Sequence, residues 1–106
     1  MSDTFSKIHF QDAKAMAVFS AEGPKPQFLV DTPHFKALVV GLEPGQQIPT
    51  HPGEAAMYHF LEGSGLMTVD EQTFRVEPGV TIIAAGNAKR GLTAKTRIIF
   101  LASKGE

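Results

Sequence analysis

The tripeptide Glu-Pro-Gly occurs twice, at positions 43–45 and 77–79, and each copy separates two runs of branched and aromatic residues. Proline fixes φ and withholds an N–H, and glycine accepts positive φ, so each copy ends one strand and turns the chain into the next. Similar breaks recur at Gly23-Pro24-Lys25-Pro26, Asp31-Thr32-Pro33, Gly63-Ser64-Gly65, Asp70-Glu71 and Ala85-Gly86-Asn87. The runs between them, 27–30, 35–42, 55–61, 66–69, 72–76, 80–84, 89–93 and 96–102, are predicted strands. Residues 13–19 also read as a strand, and residues 103–106 as a frayed tail. A chain broken this often holds no amphipathic helix of three turns. The expected class is all-β, a jelly-roll barrel built from two Greek keys.

The length of 106 residues predicts a single domain spanning 1–106, with residues 1–11 as an N-terminal arm carrying Phe5, Ile8 and Phe10. Net charge is −1 and Lys89-Arg90 is the one adjacent basic pair, so no nucleic-acid partner is expected. No apolar run approaches the length of a membrane helix, and Met1 to Phe10 lack the layout of a signal peptide, so no membrane partner and a cytoplasmic location are expected. The absence of cysteine removes disulfides, thiolate metal sites and thiol nucleophiles. Ser64 has neither a nucleophile-elbow pattern nor a triad partner and reads as a turn residue.

The stretch 45–65 concentrates the remaining chemistry. A turn at Gly45 leads into a polar segment with His51 and Glu54, then into an apolar strand that carries Tyr58 and His59 and stops at Gly63. Polar side chains thus stand at the mouth of a strand that enters a core. Alternation along a strand sets His59 opposite in facing to Ala56, Tyr58 and Phe60.

This region resembles the first motif of the cupin family, in which Gly, five residues, His-x-His, a Glu and a final Gly follow in order. Gly45, His51 and Gly63 match, and Leu61-Glu62-Gly63 resembles the family's strand ending. The second motif is similar to Gly79, the strand 80–84 and Gly86. The resemblance covers about 35–102 and implies a small double-stranded β-helix of the RmlC-like type. It also implies a divalent transition metal (Fe, Mn, Ni or Zn) held by three His and one Glu. Position by position, those ligands fall on His51, Gly53, Ala56 and Lys89. Three of the four places therefore lack the expected donor, and the resemblance points to a barrel without a complete metal site.

Three functions follow as expectations. The first is a barrel without cofactor that binds a small, anionic molecule through His51, Glu54, Tyr58 and Lys89, the lysine supplying positive charge where the metal would sit. The second is a metal-dependent dioxygenase or isomerase with an unusual site built on His51 and His59, with Glu54. The third is an interaction module whose cavity is closed by apolar side chains. Each residue also has a plain reading: His51 and Glu54 as rim residues, Tyr58 as a buried phenol, Lys89 as a surface charge. Phe28 and Phe35 are read as packing residues that can also line a cavity. Small cupins commonly pair, so a homodimer sharing the N-terminal arm is expected.

Overall fold

The computed structural model describes residues 7–105. Nine strands follow one another: β1 (Gln27–Asp31), β2 (Phe35–Leu42), β3 (Gln47–His51), β4 (Ala55–Glu62), β5 (Gly65–Val69), β6 (Gln72–Val76), β7 (Thr81–Ala84), β8 (Arg90–Ala94) and β9 (Ile98–Gly105). They form two antiparallel sheets, one in the order β1-β2-β9-β4-β7 and the other β3-β8-β5-β6. Strands distant in sequence lie side by side, as the jelly-roll reading requires.

Alternation decides what fills the space between the sheets. In β4, Ala56, Tyr58 and Phe60 are buried while Ala55 and Met57 are exposed. Cross-strand register stacks the inward residues in rows. Leu42 pairs with Ile98, Phe100 with both Val40 and Phe60, and Ala102 with both Leu38 and Tyr58. Leu42, Ile98, Phe60 and Val76 are fully buried and close one end. Phe60 and Tyr58 each tilt against Phe100, with ring centroids 5.7 and 5.9 Å away. The opposite end, beyond the Leu38–Ala102–Tyr58 row, stays open.

Several boundaries depart from the sequence reading. Residues 13–19 are not a strand: Lys14–Met16 form one 3-10 turn, and Val18 and Phe19 then lie against Gly41 of β2. Phe19 lies over Gly41, where an added Cβ would stand 2.9 Å from its ring. The Arg97 guanidinium covers the same ring at 4.0 Å. The expected frayed tail is instead part of β9, since Ser103, Lys104 and Gly105 pair with both β2 and β4. The polar segment before His51 is a strand of its own, β3, paired with β8. In the N-terminal arm, Phe5 lies outside the described residues, and Ile8 is exposed. Among the described residues no helix is long and apolar enough to cross a membrane.

Gly63 shows why the turn after β4 is fixed. Its φ is +85°, and any Cβ there would collide with the carbonyl of Arg97. Both the backbone angle and the close approach demand glycine.

Candidate functional site

The open end holds a cavity of about 300 Å³, at the small end of ligand pockets. Leu38, Val40, Met67, Leu92, Phe100 and Ala102 form its apolar wall. Its polar groups are Gln47, His51, Tyr58, Arg90 and Lys104. No aspartate or glutamate is among the described residues lining it.

Arg90 is the one buried charged side chain among the described residues, 2% exposed. It opens β8 and shares inward parity with Leu92 and Ala94. Its Nε donates to the Ala88 carbonyl at 2.8 Å. Nη1 donates to the Glu54 carbonyl at 2.7 Å and to the Tyr58 hydroxyl oxygen at 3.2 Å. Nη2 donates to the Ala85 carbonyl at 2.9 Å and, more weakly, to that of Gly53 at 3.5 Å. One guanidinium thus ties the loop after β3, the loop after β7 and the middle of β4. The planar fork suits this task because its donors leave in fixed, divergent directions. Its charge meets carbonyl dipoles and a phenol, with no carboxylate partner among the described residues.

The residues singled out from sequence separate into two groups. His51 and Tyr58 both line the cavity. His51 pairs across the strands with Arg90. Its Nδ1 donates to the Pro49 carbonyl at 2.9 Å, which leaves Nε2 as the nitrogen with a lone pair. Tyr58 is 7% exposed. Glu54 contributes its backbone carbonyl, while its side chain is exposed and not among the lining groups. His59 lies on the other face of β4, its Nδ1 2.7 Å from the Thr81 hydroxyl, and does not join His51. Lys89 is exposed, and its backbone N–H is held by the Asp70 carboxylate at 2.9 Å. The cation that enters the barrel from the second motif is Arg90, one residue further on. Phe28 and Phe35 are exposed and do not line the cavity.

Sequence reasoning missed Arg90 and Lys104. Parity held the signal: Arg90 alternates with Leu92 and Ala94, and Lys104 with Ile98, Phe100 and Ala102. A charged residue near a strand end is ordinarily surface, and that default hid both.

The donor set does not fit a divalent metal. Gly53 and Ala56 supply no donor atom. A Cβ on Gly53 would stand 3.3 Å from Arg90 Nη1, so the guanidinium fills the space beside this matched position. Arg90 has no lone pair to offer. Among the described residues no three His, Asp or Glu side chains come together as a metal-holding group. His51 alone falls short of the three or four ligands such an ion takes.

Two antiparallel sheets with interleaved strand order, closed by packing at one end and open at the other, define a double-stranded β-helix. The chain belongs to the cupin domain family, whose model matches residues 38–101. Its structure is similar to that of a conserved protein of unknown function from Streptococcus pyogenes, with TM-score 0.84 and 24% identity, covering 100% of this chain and 96% of that one. A protein from Thermus thermophilus superposes with TM-score 0.83 at 20% identity, over 92% of this chain and 98% of that one. KdgF from a Halomonas species gives TM-score 0.69 at 20% identity, over 80% and 82%. At these identities the likeness is one of fold. No curated protein matches the sequence.

Proposed function

We propose that the barrel binds a small anionic molecule through its own cations, without a bound metal. The observation that carries this reading is Arg90: a buried guanidinium in the cavity wall with no carboxylate among the described residues to balance it. A buried charge without a counter-ion is costly, and an anion entering the mouth would offset that cost. Lys104 adds a second cation to the same wall, and no acid among the described lining residues repels the ligand. Lys89, exposed beside Asp70, is left as a rim charge that contributes to approach and not to contact.

The test is a thermal-shift panel of small anions against neutral molecules of the same shape. A ligand at a hundred times its Kd stabilises by about 2.7 kcal/mol, which for a domain of this size raises Tm by roughly 10–20 °C. Anions are expected to raise Tm and their neutral counterparts to do less. Equal effects from both series would refute the reading.

The expected homodimer is kept as part of this proposal. Met57 and Ile83 are register partners on the outer face of the five-stranded sheet, 37% and 68% exposed, and Phe35 lies near them at 40%. A light-scattering mass of two chains is expected, and a mass of one chain at micromolar concentration would exclude it.

A further inference from the structure

We infer that the ligand is a monocarboxylate with an apolar body, its carboxylate held by Tyr58 and Lys104 while Arg90 acts from behind; this rests on the anion-binding reading. The direction of one hydrogen bond carries the assignment. Arg90 Nη1 donates to the Tyr58 oxygen, so that oxygen is an acceptor on the Arg90 side. The phenol's own hydrogen is then left to point elsewhere, and no acceptor among the described residues takes it. Tyr58 lines the cavity, so it offers the ligand a donor, one strengthened by the adjacent positive charge.

Arg90 itself has little left to offer directly. Each of its nitrogens already donates to a carbonyl, and only the 3.5 Å contact to Gly53 is weak. It is a positioning residue that orients the phenol and supplies field. Lys104 completes the cradle. Ala102 pairs with Tyr58, and Lys104 lies two residues along β9 on the same inward face. Its ammonium carries donors alone. The polar end of the site therefore asks for negatively charged oxygen.

The rest of the cavity sets the body of the ligand. Away from Tyr58, Arg90 and Lys104 the lining is apolar apart from Gln47 and His51 on β3, and the wall of Leu38, Val40, Met67, Leu92 and Phe100 offers no polar side chain to receive hydroxyls or a second charge. Burying either against it costs free energy without compensation. A volume of about 300 Å³ admits a molecule on the order of ten non-hydrogen atoms, at about 30 Å³ for each water-sized unit. Short aliphatic and aryl monocarboxylates meet these demands. Sugars, dicarboxylates and phosphate esters with polar bodies do not.

The experiment is isothermal titration of the intact protein with hexanoate, benzoate, hexan-1-ol, adipate and inorganic phosphate, followed by hexanoate titrations of Tyr58→Phe and Lys104→Met. Hexanoate or benzoate is expected to bind at least about tenfold more tightly than hexanol, adipate or phosphate. Tyr58→Phe is expected to weaken the acid by about tenfold, the loss of one charge-assisted hydrogen bond, while hexanol affinity stays the same. Lys104→Met, which leaves the Arg90 contacts intact, is expected to weaken the acid in the same selective way. Tighter binding of adipate or phosphate than of both monocarboxylates would overturn this inference and leave the anion-binding reading standing. Hexanol binding as tightly as hexanoate, or no binding of any probe, would overturn both.

Discussion

Replacing Arg90 by methionine keeps most of the side-chain volume and removes every donor. Four of the five contacts lie between 2.7 and 3.2 Å, and they join segments that share no other side-chain hydrogen bond. A hydrogen bond to a charged group is worth about 1.5–3 kcal/mol, so the gross loss is large. Two effects reduce it. The unfolded chain no longer gives up guanidinium hydration on folding, a gain of several kcal/mol. The part-buried carbonyls of Glu54, Ala85 and Ala88 can also turn to water. The expected net loss is about 3–4 kcal/mol, within the range for breaking a buried polar network. That corresponds to a fall in Tm of roughly 15–30 °C. Urea unfolding followed by circular dichroism measures it. Arg90→Lys separates charge from geometry, since one ammonium cannot serve carbonyls on two loops, and it is expected to recover less than half of the loss. A loss below about 1 kcal/mol for Arg90→Met would show that the fork is not what holds the mouth together.

Three further outcomes are expected. Gly63→Ala should cost at least about 3 kcal/mol in chemical denaturation, because the backbone angle and the Arg97 carbonyl both oppose a side chain. Gly41→Ala should displace Phe19 and cost about 1–3 kcal/mol by overpacking, with faster proteolysis between residues 17 and 25; unchanged cleavage would argue against the packed N-terminal segment. The Arg97 guanidinium hydrogen-bonds Glu43 at 2.9 Å and holds its carboxyl below the usual range. A depressed folded pKa stabilises the fold above the unfolded value of about 4.3 and ceases to do so as pH falls through the folded value. The Tm gap between wild type and Glu43→Gln should therefore shrink from pH 7 to pH 3, and a gap that widens would reverse the assignment.

Most of the strand layout was legible because the breaks are chemical. Pro44, Gly45, Gly63, Pro78 and Gly79 stop strands whatever surrounds them, and the alternation of Ala56, Tyr58 and Phe60 sets their facing. Two elements were misjudged where local chemistry is ambiguous. Residues 13–19 carry as much helical as extended preference, and packing against Gly41 and Arg97 decides their course. Gln47 to His51 looked like a polar loop because β3 is an edge strand with mostly exposed residues, so it has no apolar alternation to show. In the site, His51 and Tyr58 were legible from their place in the first motif. Arg90 was not, because counting from Gly86 selects Lys89, and because burial of a cation depends on carbonyls of residues 53, 54, 85 and 88 that only the fold brings together. Lys104 was hidden by the expectation that the chain end frays.

The Arg90 bridge also sets a clock. Its bonds to Gly53, Glu54 and Tyr58 span 37, 36 and 32 residues. Closing such loops is entropically expensive, and the carbonyls it needs are gathered only once β3 has met β8 and β4 has met β7. The bridge should therefore form after the rate-limiting step of folding and break before that of unfolding is complete. Interactions absent from the transition state act on the escape rate alone. Arg90→Met should then refold at nearly the wild-type speed yet unfold several hundredfold faster, since a loss of about 3–4 kcal/mol converts at about 1.4 kcal/mol per decade of rate. One buried side chain is then expected to set how long the native state lasts, and the strands and turns how quickly it is reached.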